Sequence, residues 1–234
     1  MSVSGNVARI REQIAVAAQR AGRPAEDISL MAVSKTFSAQ AVREAYNAGI
    51  RHFGESKVQE FAGKARALDD LQPVDWHMIG HLQTNKAAKA AELFAAVDSV
   101  DSLRLAEKLN SAAKQLGKRL AILVEINVGG ESAKSGLAPN APELESILQA
   151  APRLEALEIR GLMTVPPYTG TPEEARPYFR QLRELRDQIA ARQIPSINTD
   201  VLSMGMSHDF EVAVEEGSTC VRIGTAIFGE RSKD

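Results

Sequence analysis

Short apolar runs alternate with helically periodic stretches along the whole of this 234-residue chain, and no Ser- or Gly-rich linker interrupts the alternation. That pattern leaves few architectures open. Strands separated by helices pair in parallel through right-handed crossovers, because a tight hairpin turn has no room for a helix. The strand-like runs cover residues 28–33, 50–54, 76–80, 95–100, 120–128, 159–164, 201–204 and 220–224. Most read as apolar throughout, as strands covered on both faces do. Eight strand–helix units are what a (β/α)8 barrel needs, and the chain sits at the small end of the barrel range. The expected fold class is therefore α/β: a single (β/α)8 TIM barrel domain spanning residues 1–234, with a doubly wound open sheet as the competing arrangement.

Local signals agree with that division. Val7, Ile10, Ile14, Ala17, Ala18 and Ala21 recur at helical spacing ahead of the first strand, and Gly22 and Pro24 stop them, which predicts an extra N-terminal helix. Ser38 is placed to cap the next helix and Gly49 to close it. Thr171-Pro172-Glu173-Glu174 reads as a capping box with proline at the first helical position. A helix is expected from Asn140, another near His208 and a last one from Ala226.

Composition narrows the function. A formal net charge of −2 leaves no electrostatic footprint for nucleic acid or an acidic membrane, which points to a small-molecule partner. The single cysteine, Cys220, allows no internal disulfide and suits a reducing compartment, with cytoplasm as the expectation. Arg9 and Arg11 are spread through a helical pattern rather than set ahead of an apolar run, so neither export nor membrane spanning is expected.

In such a barrel the ligand site lies at the C-terminal ends of the strands. There the sequence offers Lys35, Glu55, Ser56, Gly80, His81, Asn127, Met163, Thr164, the run Met204-Gly205-Met206-Ser207, Arg222, and Gly224-Thr225. A lysine at a strand end is a candidate nucleophile toward carbonyl carbon. The loops after strands seven and eight form the recurrent barrel phosphate site, and they carry Ser207, Gly224 and Thr225. Strands one and eight are neighbours in a closed barrel. A lysine beside a phosphate site describes pyridoxal 5′-phosphate (PLP), whose aldehyde the lysine holds while the loops hold its phosphate. Arg222, two residues before Gly224, is expected to point into the mouth; beside a pyridine nitrogen its charge would keep that nitrogen unprotonated and the ring a weak electron sink. A structural ion pair to a barrel carboxylate is the other reading of Arg222.

Other features lead less far. His77 and His81 are four apart, but a strand-to-loop change separates them and no third ligand is placed. The 129–136 segment lacks the Gly-Lys-Ser/Thr ending of a nucleotide loop. The charges from Arg180 to Arg186 read as a solvated helix face.

Several stretches together are specific: Ala32-Val33-Ser34-Lys35, Phe53-Gly54-Glu55, Val58-Gln59-Glu60, the run from Trp76 to Lys86, Gly161-Leu162-Met163-Thr164, Leu202-Ser203-Met204-Gly205-Met206-Ser207, and the run from Val221 to Gly229. On these residues the chain resembles the YggS/PROSC family, the pyridoxal phosphate homeostasis proteins, over nearly its whole length. The resemblance implies the barrel of the alanine racemase N-terminal domain (fold type III of PLP proteins), with Lys35 carrying PLP as an internal aldimine. It also implies phosphate contacts from Ser207, Gly224 and Thr225, and Arg222 near the pyridine nitrogen. The cofactor-binding set is thus Lys35, Met163, Ser203, Met204, Ser207, Arg222, Gly224 and Thr225. Ser56-Lys57 stand where many members have Asn-Tyr, so no cofactor contact is assigned there, and none to His208.

Family members are associated with the balance of free and bound PLP, hence with vitamin B6 metabolism, and have no firmly assigned turnover. A carrier or buffer is therefore expected, with apo PLP-dependent enzymes as acceptors and a monomer as the oligomeric state. The alternative is an amino-acid racemase, which needs an acid/base on each face of the cofactor; Lys35 serves one face, and Tyr168 is the one tyrosine expected near the mouth. A cofactor-free aldolase on a phosphosugar would use the same lysine, but it wants a carboxylic acid or second lysine nearby, and none is placed by the sequence.

Overall fold

The structure, a computed structural model, describes residues 2–131 and 134–230. Ser132 and Ala133, within the 129–136 glycine loop, lie outside the described residues. Eight parallel strands run in chain order around a closed barrel: β1 (Ser29–Val33), β2 (His52–Glu55), β3 (Asp75–Met78), β4 (Ala96–Val100), β5 (Leu120–Glu125), β6 (Leu157–Met163), β7 (Ile197–Ser203) and β8 (Cys220–Ile223). Pairing of β1 with β8, Met31 opposite Arg222 and Ala32 opposite Ile223, closes the ring and excludes the open sheet. Helix α1 (Val3–Arg20) precedes β1. The crossovers carry α2 (Ala39–Asn47), α3 (Val58–Ala65), α4 (Ala87–Leu93), α5 (Leu103–Gln115), α6 (Pro142–Ala150), α7 (Arg176–Ala191) and α8 (Phe210–Glu215), and the one-turn α9 (Thr225–Phe228) follows β8.

The helices form where an apolar stripe can be buried and a side chain can cap. Ser2 Oγ accepts the Gly5 N–H at the start of α1, and Val7, Ile10, Ile14, Ala17 and Ala18 are buried along one face. That face covers α8 and α9, and the buried Asn6 amide donates to the Ile227 carbonyl at 2.9 Å. The extra helix thus supports the two loops on which a phosphate site was expected. Ser38 caps α2 through the Ala41 N–H, and the chain leaves α2 through Gly49, with Ile50 N–H returning to the Ala45 carbonyl.

Apolar burial fixes the outer ring of helices onto the strands. Phe61 of α3 is 2% exposed and sits between Trp76 of β3 and Phe94, with ring centroids 4.6 and 4.9 Å away. Burying a ring of that size contributes about 3 kcal/mol, and it sets the rotation of α3 about its own axis. Gly161, with φ +148°, lies so close to β7 that a Cβ would stand 1.9 Å from the Val201 carbonyl oxygen; only glycine permits the β6–β7 register shift there.

Several boundaries differ from expectation. β5 stops at Glu125 rather than running on to residue 128: Ile126 still donates its N–H to the Met163 carbonyl at 2.8 Å, but its other pairing is an isolated bridge to Leu137 and the residues beyond it leave the sheet. β7 begins at Ile197, four residues early, and α6 and α8 begin two residues late. The Thr171 box forms differently: its hydroxyl donates to Glu174 Oε1, Gly170 N–H donates to Glu174 Oε2, and a 3-10 turn leads into α7. Nor is the arginine face of α7 merely solvated. Arg176, Arg180 and Arg183 converge at 2.8–3.1 Å on Glu216, whose side chain is 6% exposed, and this ties α7 to the end of α8.

Candidate cofactor site

The mouth of the barrel is built from the strand ends, beginning with β1. Ser34 N–H donates to the Gly54 carbonyl at 3.0 Å, so the β1–β2 ladder runs one residue past the strand and delivers Lys35 at the rim, half-buried. Thr36 follows with φ +68°. A β-branched residue in the left-handed region costs about 1–3 kcal/mol and persists only where its surroundings hold it.

Glu55 ends β2 with no exposed surface. Its Oε1 accepts the Ser34 hydroxyl at 2.7 Å and the Lys64 ammonium at 2.8 Å, while its Oε2 has no partner. Burial pushes the Glu55 carboxyl above its ordinary range, against the pull of Lys64 and Ser34. A carboxyl and a second lysine therefore do lie beside the Lys35 segment, contrary to expectation. They neutralise one another, so neither is a ready proton relay.

Arg222 points inward from β8 and is 3% exposed. Its guanidinium donates to Ser203 Oγ at 2.7 Å and to the Thr164 carbonyl at 2.6 Å, neutral partners rather than a carboxylate ion pair. Burial lowers its pKa, and the fields of Asp98, Glu125 and Asp209 oppose that. Met163, at the end of β6, and Met204, just after β7, are fully buried, and Met204 belongs to the main apolar cluster.

Two loops face this arginine. Gly205, at φ +94°, turns the chain after β7; a Cβ would sit 2.5 Å from the Ala213 Cβ, so the turn needs glycine. The buried Asp209 carboxylate accepts the Met206 N–H at 2.6 Å, and the Gly205 carbonyl accepts the Arg222 N–H at 3.0 Å. Ser207 Oγ then lies 3.4 Å from both Thr225 Oγ1 and the Ala226 amide nitrogen. Contacts that long are weak, so these donors can turn to an anion lying between the loops. Gly224 is less constrained than expected, since a Cβ there would make only ordinary contact with Val33 at 3.6 Å. The helices behind the loops are too short to add much dipole, and the hydroxyls and amides supply the donors. Phe37, two residues past Lys35, stacks on Phe228 of α9 with centroids 4.6 Å apart, which joins the lysine loop directly to the turn after β8.

The rest of the mouth is a cleft of about 600 Å³ between the ends of β3, β5 and β6, lined by Gly80, His81, Glu125, Lys134, Ser135 and Val165 among others. Glu125 is 5% exposed; Oε1 accepts the Ser135 hydroxyl at 2.9 Å, Oε2 is unpartnered, and burial pushes its pKa up. Sequence reading passed over Glu125 for Asn127, whose amide only ties down its own loop through the Glu131 carbonyl. Glu60, Lys64 and Asp209 were also missed. Exposed Lys57 precedes α3 without a side-chain cap bond, and the Ser56 backbone lies where a Cβ on Gly80 would collide with it. His208 is exposed and stacks on Tyr168, itself 85% exposed. His81 lies 3.4 Å from Asp101 at the mouth, whereas His77 bonds Asp98 at the opposite end of the barrel. Among the described residues no group of His, Cys, Asp or Glu is arranged to hold a metal ion.

Comparison with known proteins fits this geometry. The family model described as "Alanine racemase, N-terminal domain" matches residues 6–232. The pyridoxal phosphate homeostasis protein of Aquifex aeolicus is 43% identical over 231 residues, 99% of either chain, and that of Escherichia coli K12 is 42% identical over 98% of this chain and 97% of its own. Among solved structures, PipY of Synechococcus elongatus with PLP bound superposes with a TM-score of 0.85 at 38% identity, covering 97% of this chain and all of PipY. Alanine racemase of Clostridium difficile shares the fold, with a TM-score of 0.72 at 16% identity over 58% of that enzyme. The chain belongs to the alanine racemase N-terminal domain family and, within it, to the pyridoxal phosphate homeostasis proteins.

Proposed function

We propose that this chain binds PLP on Lys35 and takes part in PLP homeostasis as a carrier without catalytic turnover. One observation carries the reading: β1, which leads to Lys35, pairs with β8, and the Phe37–Phe228 stack ties the segment just after Lys35 to the loop after β8, where the Ser207 and Thr225 hydroxyls meet. PLP supplies an aldehyde for a lysine amine and a phosphate dianion for the loops.

The chain's own residues do the rest. Ser207 and Thr225 turn their hydroxyls, with the Ala226 amide, to the phosphate oxygens. Gly224 lets the loop between β8 and α9 turn beside them. Arg222 would stand near the ring nitrogen of bound PLP and would disfavour its protonation by like charge. Ser203 Oγ and the Thr164 carbonyl hold Arg222 there, each next in the chain to a fully buried methionine, Met204 and Met163. An acidic residue in the place of Arg222 would favour carbanion chemistry; arginine suits holding and release.

The whole chain acts as one cofactor-binding unit, a cytoplasmic monomer that passes PLP to apo-enzymes. Among the described residues no helix is long and apolar enough to cross a membrane. Relatives described as homeostasis proteins rather than enzymes support the absence of turnover. The alternative, an amino-acid racemase, draws support from Tyr168, which stacks on His208 next to Ser207. With 85% of its surface in water, that tyrosine is poorly held for proton transfer.

The test is spectroscopic. Purified protein mixed with PLP should gain a long-wavelength band, and borohydride should fix the label on Lys35. Lys35→Ala should lose the label and keep its melting temperature. Labelling elsewhere, or a colourless wild type, would overturn the assignment, and stereoinversion of amino acids by wild type but not by Tyr168→Phe would favour the racemase.

A further inference from the structure

Four hydrogen bonds bracket Lys35, and α3 supplies three of them. Before it, the Ser34 carbonyl accepts from Lys64 Nζ at 2.9 Å and the Ser34 hydroxyl donates to Glu55 at 2.7 Å. After it, Thr36 N–H donates to Glu60 Oε1 at 2.5 Å and the Phe37 carbonyl accepts from Lys64 Nζ at 3.2 Å. Glu60 and Lys64 are one helical turn apart, 3.5 Å from each other, so they reach the same short segment from the same face. We propose that Glu60 and Lys64 form a clamp that holds both peptides flanking Lys35 and so fixes where its amine stands, which makes them positioning residues for capture of the cofactor aldehyde. This rests on reading Lys35 as the cofactor-bearing residue.

Three features argue for positioning rather than ordinary surface pairing. First, the clamp holds an unfavourable conformation. Thr36 at φ +68° is a geometry a β-branched residue leaves unless something retains it, and the bond from its own N–H to Glu60 does so. Second, Lys64 is saturated. An ammonium has three N–H donors, and Glu55, Ser34 and Phe37 take all three while its side chain is only 12% exposed. Its hydrogen bonding thus commits Lys64 to structure. Third, the clamp is anchored to the barrel wall, because Phe61, next to Glu60, is locked against Trp76 and Phe94. A rigidly placed amine reacts as a group of high effective molarity, and a displacement of about 1 Å can lower a rate roughly a hundredfold.

The experiment compares wild type with Glu60→Gln, Glu60→Ala, Lys64→Met and Lys64→Arg. It reads the rate at which Lys35 captures PLP by stopped-flow absorbance, the site of labelling by borohydride trapping, and amide exchange at Thr36 without PLP. Glu60→Ala should slow capture at least tenfold and speed Thr36 exchange at least tenfold. Glu60→Gln keeps the acceptor and should stay within threefold of wild type. Lys64→Met should slow capture and Lys64→Arg recover part of the loss. Thr36→Gly removes the need for restraint, so adding Glu60→Ala to it should cost less than threefold. Should Lys64→Met fail to fold, the Glu60 series decides alone, since the Glu55–Lys64 pair remains intact there. Wild type trapped on Lys35 together with folded Glu60→Ala reacting at the wild-type rate overturns the clamp and leaves the cofactor reading standing. Wild type that never labels Lys35 overturns both.

Discussion

The two ends of this barrel carry buried ionisable groups in opposite states. At the N-terminal end a cavity of about 330 Å³ opens into the floor, because Ser29, Ala96, Ala121 and Cys220 are too small to fill the layer that larger side chains usually fill. His77 and Asp98 meet there at 3.0 Å, with His52 edge-on to His77. Burial works against the charged ring of His77, yet Asp98 outweighs it and raises the pKa, while burial, aided by His77, lowers that of His52. Burial likewise pushes the Cys220 thiol up to about 12. At the mouth, Glu55 and Glu125 each keep one buried oxygen without a partner. Unsatisfied buried oxygens cost stability, and among the described residues both lie at the ligand end. The floor pairs its buried charges with one another, whereas the mouth leaves part of its own unsatisfied.

Breaking the floor should cost the most. Asp98→Ala leaves His77 unpaired, with an expected loss of about 3 kcal/mol in urea unfolding, while folded protein keeps its PLP affinity; a matching loss of affinity would make the two ends interdependent. At the mouth the balance should reverse. Arg222→Gln removes the charge near the ring and is expected to weaken PLP binding about tenfold, or 1.4 kcal/mol, in equilibrium titration; unchanged affinity would make Arg222 structural. Ser207→Ala should cost about 1 kcal/mol toward PLP and nothing toward pyridoxal, which lacks the phosphate. An equal loss for both ligands would remove Ser207 from the phosphate site.

The smallest effect separates the ends by pH. Glu125 has its folded pKa raised above the ordinary 4.5, so its stabilising share is complete below that value and is lost as pH rises through the folded pKa. His77 is raised above 6.5, so its share is complete below 6.5 and is lost at higher pH. Stability of the cofactor-free protein should therefore fall on alkalinisation through both ends of the barrel, the carboxyl at the mouth starting its loss from the lower ordinary pKa. Glu125→Gln should lessen the loss that begins at the lower pH, where the shares of Glu55 and Asp209, also raised by burial, remain, and should leave the His77 share unchanged, as chemical denaturation between pH 4 and 9 would reveal.

What the sequence disclosed depended on whether a residue's place follows from its own strand. Lys35 and Arg222 were legible because alternation fixes both where a strand ends and which way its residues face. Glu60 and Lys64 were not, because they reach β1 only after Phe61 has set the rotation of α3 against Trp76 and Phe94. Glu125 was hidden by its successors: Ile126 and Val128 continue the apolar run, and only the distant bridge to Leu137 shows that the strand has ended. His77 and His81 look like a pair in sequence, yet the strand-to-loop change sends them to opposite ends of the barrel. The arginines of α7 looked solvated until the fold brought Glu216 from α8 against them.

The pairing of β1 with β8 has a consequence in time as well as in space. A ribosome delivers Lys35 early and Ser207, Arg222 and Thr225 near the end, and domains emerge N-terminal part first. On the reading of Lys35 as the cofactor-bearing residue, an unfinished chain would hold that lysine before the loops proposed to take the phosphate exist. Only when Ile227 reaches Asn6 and α9 docks on α1 is the loop after β8 supported from behind, so on that reading cofactor uptake would double as a report that the barrel has closed.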